Sequence, residues 1–256
     1  MQTKILAFLA ATILSPVGAL AASANDSEND STGSSARIVS KYIQATEACD
    51  VFRNASMEVD INAAIPKLKQ HGRLRALRKV SEVGRISYRV IGFQGDNSVK
   101  IQVIARYLQA EQQGQGDRSL AITPANYRFK FKGEKGIYGR DAFVFQLSPK
   151  KKKVGLFKGE IWLDTRTFLP MFEKGRFVKN PTIFFKKIEF ERAYAVETGV
   201  AIPQYMSSVI DTHLIGKVGL DIYYSNFVPL KAGITLYAPV YPPASFEELS
   251  LALKTK

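Results

Sequence analysis

The sequence predicts an α+β fold that is mainly β: a curved antiparallel sheet, or half-barrel, with helices covering its concave apolar face. Three observations lead to this class. Many short runs alternate between apolar and polar residues, which is the period of a strand with one buried face. Only a few segments show helical spacing. Hydrophobic residues make up 46% of the 256 residues, which is enough for a packed core.

The second half of the chain carries the clearest strands. Apolar residues there occupy every second position and form five faces: Tyr127, Phe129 and Phe131; Phe143, Phe145 and Leu147; Phe157, Ile161 and Leu163; Phe184, Ile188 and Phe190; and Val218, Leu220, Ile222 and Tyr224. Weaker alternation over residues 57–61, 72–80 and 85–93 predicts three earlier strands. Trp162 is an exception, because it falls on the polar face of its strand.

Helical spacing predicts three helices to cover the sheet. The first starts near residue 36 after Ser34 or Ser35 as a cap, and its apolar positions are Ile38, Tyr42, Ala45, Cys49 and Phe52. The second interrupts the strands over residues 95–117, with Asn97 or Ser98 as a cap and Val99, Val103 and Leu108 on one face. Ser245 and Glu248 have the spacing of a capping box, which predicts a short C-terminal helix.

The N-terminus has the three parts of a secretory signal peptide. Lys4 is followed by an apolar run over residues 5–14 and by small residues at Ala19 and Ala21. The predicted organisation is a signal peptide over residues 1–21, a flexible polar leader over residues 22–35 and a single domain over residues 36–256. We therefore expect a monomer exported to the periplasm. Its lone cysteine, Cys49, cannot form an internal disulfide.

The chain is basic, with a formal net charge of +13. Such a charge favours anionic partners, and export makes a membrane surface the expected one and excludes nucleic acid. Lys150, Lys151, Lys152 and Lys153 form one cluster, and a second lies between Lys67 and Lys79. Two interpretations of the four consecutive lysines stay open: the solvated turn of a hairpin, or a contact with anionic headgroups.

Patterns typical of catalysis or metal binding are absent from the sequence. No Gly-x-Ser-x-Gly elbow, phosphate loop or zinc-ligand spacing occurs. There are two histidines: His71 precedes a glycine, and His213 follows Asp211 at alternate spacing, which is the only candidate for an acid–base pair. We predict a protein that is not an enzyme and needs no cofactor and no metal.

One hairpin carries a family resemblance. Residues 159–181 contain Trp162, Asp164, Thr167, Leu169 and Pro170 in a W-x-D-x-x-T-x-L-P pattern. This pattern, and the order of the elements around it, resemble the LolA/LolB-like bacterial lipoprotein-sorting superfamily, which includes the RseB-like sensors. The resemblance implies a half-barrel with a helical lid over an apolar cavity that binds acyl chains without chemistry. Arg89 and Arg106 are the candidates for the conserved arginine of the LolA carriers in this superfamily. Asp164 is interpreted as a turn residue.

The expected function is that of a periplasmic carrier for the acyl chains of a lipid or lipoprotein. The alternative is an RseB-like module that docks another envelope protein, and a filled core without a cavity is the structural alternative. The apolar residues expected to line the ligand site are Phe129, Phe131, Phe143, Phe145, Phe157, Ile161, Leu163, Phe184, Ile188, Phe190, Leu220 and Ile222.

Overall fold

The computed structural model describes residues 29–47, 54–113, 118–137, 139–180, 183–197 and 199–229. The signal peptide, leader residues 22–28, the placement of Cys49 and Phe52, and the C-terminal helix that begins at Ser245 are predictions that fall outside these residues.

Ten strands form one open antiparallel sheet. They are β1 (Ala55–Ile65), β2 (Gln70–Val80), β3 (Ile86–Gly95), β4 (Tyr127–Ile137), β5 (Arg140–Pro149), β6 (Phe157–Asp164), β7 (Pro170–Phe177), β8 (Phe185–Glu197), β9 (Val200–Thr212) and β10 (Lys217–Pro229). The order across the sheet is β3-β2-β1-β10-β9-β8-β7-β6-β5-β4. The first and last strands are therefore neighbours, and β3 and β4 are the edges. The predicted fold class is confirmed.

The alternation seen in the sequence determines which face each strand buries. In β1 every second residue is buried, from Ala55 to Ile65. Ile61 lies opposite Ile222 of β10 and opposite Leu74 of β2, so the apolar residues of neighbouring strands line up on one inner face. The described helices cover this inner face, and the other face of the sheet is called the outer face below.

A β-bulge corrects one predicted face. The register of β8 against β9 shifts between Phe185 and Lys187, and an extra residue in a strand moves the preceding side chains to the opposite face. Phe185 therefore lies opposite Thr212 and packs against the core. Phe184, which was grouped with Ile188 and Phe190, instead lies in the turn before β8 and is 50% exposed.

The first helix, α1, spans Asn29–Glu47 and packs on the inner face through Ile38, Val39 and Tyr42. It begins seven residues before the expected start at residue 36. The second part of the predicted flexible leader, residues 29–35, is thus helical. The polar composition of this stretch concealed the helix, because its first turns have no apolar face to bury.

The second helical region interrupts the strands as predicted. It consists of α2 (Asn97–Val99), a π-helical turn (Lys100–Ile104) and α3 (Ala105–Gln113), which follow one another without a break and are together called the insertion helix. The N-cap is Asp96 rather than Asn97 or Ser98, and its Oδ2 accepts a hydrogen bond of 2.8 Å from the His71 N–H. No helix within the described ranges is long and apolar enough to span a bilayer.

Two apolar clusters lie on opposite faces of the sheet. The larger fills the inner face beneath the helices. The smaller lies on the outer face and contains Trp162, which is only 4% exposed. The Trp162 ring packs edge-on against Phe172, lies beneath the Lys135 ammonium and donates a hydrogen bond from Nε1 to Glu160. The tryptophan expected on a solvated face is thus a packed residue of a second core.

Candidate functional site

Four half-buried phenylalanines lie together on the inner face near the β4 edge. Phe129, Phe131, Phe143 and Phe168 pack against the main core without being closed off from solvent, and they are called the aromatic shelf below. Phe131 lies 6.2 Å from Phe143 and 5.2 Å from the buried Phe145, and Phe143 stacks on Phe168 at 6.0 Å between ring centroids. The shelf is an accessible apolar surface that continues into the buried core.

Phe168 reaches the shelf because of the turn between β6 and β7. Asp164 Oδ1 accepts hydrogen bonds from the backbone N–H groups of Arg166 and Thr167 and from the Thr167 hydroxyl, at 2.8–3.1 Å. This turn holds Phe168 at φ 60°, in the left-handed region that bulky residues rarely adopt. Strand alternation does not extend into turns, so the sequence prediction missed Phe168, although it lies inside the recognised motif.

Asp164 has the structural role that its position in the motif predicts. Burial alone would raise the pKa of this carboxyl group, but the hydrogen bonds from Thr167 and the Arg140 guanidinium lower it below the usual value. The Arg140 Nη2 lies 2.8 Å from Asp164 Oδ2. The stability that this ionised turn contributes is present above the ordinary carboxyl pKa and is lost as the pH falls through the lowered one.

Helix α1 lies over the shelf. The Tyr42 ring lies 6.4 Å from that of Phe129, and the Lys41 Nζ lies 4.7 Å from the centroid of the Phe168 ring. A cation over an aromatic face contributes on the order of 0.5–1 kcal/mol at an exposed site. These contacts position the helix as a cover for the shelf.

A belt of polar side chains crosses the inner face next to the shelf. At one end of this polar belt, Arg78 of β2 donates two hydrogen bonds, of 2.9 and 3.1 Å, to Glu111 of the insertion helix. Tyr88 of β3 donates to the other carboxylate oxygen of Glu111. The Arg78 and Glu111 side chains are only 13% and 5% exposed. These contacts, called the clamp below, join the insertion helix to β2 and β3 in a desolvated setting. Removing one charged partner there lowers the stability of the fold, because the other charge stays buried without a partner.

The other end of the polar belt lies beneath α1. Arg192 Nη1 of β8 lies 3.5 Å from Glu173 Oε2 of β7, and both side chains are buried. Burial raises the pKa of Glu173 although Arg192 and Tyr194 act in the opposite direction. Burial also raises the pKa of Tyr42, with Glu173 and Tyr194 adding to the effect. Tyr107 and Tyr224, which hydrogen-bond to each other and lie within electrostatic range of both arginines, are placed between the two ends.

The polar belt runs across the strands and ends next to the shelf. Glu173 of β7 lies opposite Ile161 of β6, which in turn lies opposite Phe145 of β5 beneath the shelf. Buried charges and hydroxyl groups offer no favourable contact to an alkyl group. The apolar surface of the shelf therefore stops at Glu173 and Arg192.

The predicted ligand residues fall into three groups. Phe129, Phe131 and Phe143 belong to the aromatic shelf. Phe184 lies apart in an exposed turn. The others are buried members of the main core: Phe145, Phe157, Ile161, Leu163, Ile188, Phe190, Leu220 and Ile222. The structure thus brings eleven of the twelve residues to one face, and it leaves three of them accessible.

Two further features lie at the rims of the sheet. Lys150, Lys151, Lys152 and Lys153 are all exposed in the connection between β5 and β6, which fits the solvated-hairpin interpretation. A shallow apolar cleft lies at the opposite end of the sheet, where β1 and β9 begin and β8 and β10 finish. It has about 340 Å³ of empty space including its open mouth. Met57, Ile202, Tyr224 and Phe227 are among its lining residues.

The candidates for chemistry do not converge. His213 is exposed in the turn after β9, and Asp211 lies opposite Lys187 and Lys217 on neighbouring strands. Within the described part of the chain, no three His, Cys, Asp or Glu side chains form a possible metal site. Arg89 and Arg106, the predicted counterparts of the family's arginine, are not in the polar belt, where Arg78 and Arg192 lie instead. Both belt arginines were missed because they interrupt apolar alternation.

No protein-family model and no curated protein matches the chain. Solved structures do match. A LolA superfamily protein from Nitrosomonas europaea is 15% identical over 75% of this chain and 91% of its own, with a TM-score of 0.36. A putative outer membrane lipoprotein-sorting protein domain from Vibrio parahaemolyticus is 12% identical over 78% and 93%, with a TM-score of 0.40. A MucA/MucB complex from Pseudomonas aeruginosa matches at 11% identity over 75% and 98%, with a TM-score of 0.28. These structures carry LolA-like, lipoprotein-sorting and MucB names, at identities of 11–15% and TM-scores of 0.28–0.40.

Proposed function

We propose that this protein is an exported, non-enzymatic carrier that holds an acyl chain of a lipid or lipoprotein between the aromatic shelf and helix α1. The observation that carries the proposal is that the aromatic shelf stays accessible to solvent. Phe129, Phe131, Phe143 and Phe168 form contiguous apolar surface that is only half covered. Contiguous accessible apolar surface of this kind marks a binding site more often than a packing defect.

The arrangement of α1 supports the same function. This helix covers the shelf through Tyr42 and Lys41, and neither contact is a buried ion pair. The insertion helix, in contrast, is clamped by Glu111. An acyl chain can therefore displace α1 at a lower cost than the insertion helix, and it would replace the aromatic contacts that it breaks by contacts of its own.

The polar belt supports a limit on the size and direction of the ligand. Glu173, Arg192 and Tyr194 lie where a chain that enters from the β4 edge would reach the middle of the sheet. A chain that ends there leaves its polar headgroup outside, at the edge. The proposed ligand therefore has an alkyl tail that binds along the shelf and a headgroup that stays in solvent.

Acyl binding can be tested in solution. Protein purified from a bacterial host is extracted and analysed for co-purifying lipid by mass spectrometry, and binding of a fluorescent fatty acid is titrated. The double variant Phe131→Ser, Phe143→Ser should bind at least about tenfold more weakly, because burial of a phenylalanine contributes roughly 1.5–3 kcal/mol.

Phe184→Ser is the matched control for this test. Phe184 is an accessible phenylalanine, 50% exposed, that lies outside the shelf, so its loss should leave the fatty-acid affinity unchanged. Circular dichroism and urea unfolding confirm that the double variant is folded. The proposal fails if wild-type protein carries no lipid and binds no fatty acid, or if Phe184→Ser and the double variant weaken binding equally.

The edge strand β3 favours a second candidate function, docking of another envelope protein. Val90 and Ile91 of this strand are each 52% exposed, and the register of β3 against β2 shifts at Ile91. An open edge with apolar side chains can accept an extended segment of a partner by strand addition. A pull-down from envelope extracts that recovers one stoichiometric protein and no lipid would favour this alternative over the carrier.

A further inference from the structure

Four large apolar side chains are exposed on neighbouring loops at one end of the sheet. Leu68 follows β1 and is 47% exposed, Leu214 follows β9 and is 69% exposed, and Ile183 and Phe184 precede β8 and are 85% and 50% exposed. They are called the loop-tip patch below. In the strand order, the loops that carry them join neighbouring pairs of strands, β1 with β2, β9 with β10, and β7 with β8. The packed core uses none of the four.

Hydrogen bonds hold these loops against one another. Lys67 Nζ donates to the Leu214 carbonyl at 3.1 Å, and the His213 N–H donates to the Phe184 carbonyl at 3.0 Å. The loop after β7 is joined in turn to the connection between β5 and β6, since the Val178 N–H donates to the Leu156 carbonyl at 3.0 Å. The four tips therefore form one surface rather than scattered exposed residues.

The surroundings of the loop-tip patch are basic. Segments 66–71, 178–180, 183–187 and 213–217 contain no acidic residue. They contain six lysines: Lys67, Lys69, Lys179, Lys186, Lys187 and Lys217. Lys187 pairs with Glu189, and Lys187 and Lys217 lie opposite Asp211, so these two lysines are partly balanced by acidic neighbours. Lys150, Lys151, Lys152 and Lys153 lie in the connection between β5 and β6, at the same end of the sheet. Apolar tips within a ring of lysines have the composition of a surface that enters an anionic lipid interface.

We propose that the loop-tip patch docks the protein on the surface of an anionic lipid bilayer, with Leu68, Ile183, Phe184 and Leu214 inserted among the headgroups and the lysines in contact with lipid phosphates. The tips protrude from loop ends and do not line a groove. This shape suits a deformable lipid surface better than a folded protein, which would have to supply matching pockets. The charge of the surrounding lysines selects anionic over neutral lipids.

The docking surface goes beyond the proposed carrier function, and the two can fail independently. The aromatic shelf lies on the inner face near the β4 edge. The loop-tip patch lies at the end of the sheet where β1, β7 and β9 finish and β8 and β10 begin. Binding of a fatty acid in solution needs no bilayer. If the wild-type protein binds fatty acid but does not bind vesicles, the docking surface is refuted and the carrier function is not.

Flotation of the full chain with lipid vesicles tests the proposal. Wild-type protein should float with vesicles of phosphatidylcholine mixed with phosphatidylglycerol and remain behind with vesicles of phosphatidylcholine alone. Leu214→Ser should weaken binding by about tenfold, because a buried leucine side chain is lost from the interface. Val83→Ser is the matched control, because Val83 is 76% exposed in the turn at the opposite end of the sheet. It should bind like the wild type.

Charge variants separate the lysine contribution. The double variant Lys69→Gln, Lys179→Gln should lose about fivefold in affinity per lysine. Arg85→Gln, Arg166→Gln removes the same charge from the turns at the opposite end and should have little effect. Added salt should weaken the binding of the wild type and of the control pair alike.

A tryptophan probe distinguishes insertion from attraction to charge. Leu214→Trp should shift its emission to the blue when anionic vesicles are added, whereas Val83→Trp should not. Trp162 is buried on the outer face and supplies a constant background. Absence of vesicle binding by the wild type overturns the proposal, including the case where the patch captures an acidic protein instead. Equal losses in Leu214→Ser and Val83→Ser overturn it as well.

Discussion

The two halves of the inner face are built differently. In the clamped half, which consists of β1, β2 and β10 beneath the insertion helix, aliphatic residues are buried and a desolvated ion pair fixes the helix. In the open half, which consists of β4, β5, β6 and β7 beneath α1, four phenylalanines stay partly accessible. The helix is held there by apolar packing of Ile38, Val39 and Tyr42 and by ring contacts. The clamped half is therefore a completed core, whereas the open half still has accessible apolar surface. A change of conformation is expected in the open half.

The largest effect should come from breaking the clamp. Glu111→Ala leaves the Arg78 guanidinium buried without its partner, which costs on the order of 3–5 kcal/mol in the free energy of unfolding. Urea unfolding measures this loss. The matched control is Glu189→Ala, which removes the carboxylate of the exposed pair with Lys187 and should cost less than about 1 kcal/mol. Similar losses in the two variants would mean that the clamp does not distinguish the halves.

A matched pair of isoleucines compares the two helices directly. Ile104 of the insertion helix and Ile38 of α1 both face the core. Ile→Ala substitutions cost roughly 2–5 kcal/mol, depending on how well the site can collapse. We expect Ile104→Ala near the upper end of this range and Ile38→Ala near the lower end, because α1 can settle onto the shelf. Hydrogen exchange should also show α1 opening at a lower free energy than the insertion helix. Equal unfolding losses would remove the contrast.

The smallest effect concerns the backbone beneath the shelf. Phe168→Gly and Phe168→Ala both remove the ring, but only glycine adopts φ 60° without strain. The glycine variant should therefore be more stable than the alanine variant by about 0.5–1 kcal/mol. Both should bind fatty acid equally weakly. A difference in affinity between them would show that the turn, and not the ring, governs binding.

The sequence predicts the open half better than the clamped half. Strict alternation through Phe129, Phe131, Phe143 and Phe145 identified the strands, their inner face and three of the four shelf residues. The W-x-D-x-x-T-x-L-P pattern identified the turn at Asp164. Both signals are local, since period and turn chemistry are properties of adjacent residues.

What the sequence did not predict depends on contacts between distant segments. Arg78 interrupts the apolar pattern of its strand, and only the approach of Glu111 from the insertion helix explains its burial. Glu173 and Arg192 are likewise polar residues at inner positions whose partners lie on neighbouring strands. Phe184 was placed on the inner face because a bulge cannot be read from an alternation that continues through it. The start of α1 was missed because its first turns lack an apolar face.

The pairing of β1 with β10 has a consequence for how the protein folds. Val59 cannot find Tyr224 until nearly the whole domain is available. The first three strands, β1 to β3, are therefore without their neighbour β10 while β4 to β9 can already pair in succession as hairpins. Such distant pairing slows folding and leaves the edge of β1 open in the meantime. A chain with this topology exposes that strand edge to aggregation until its last strand arrives.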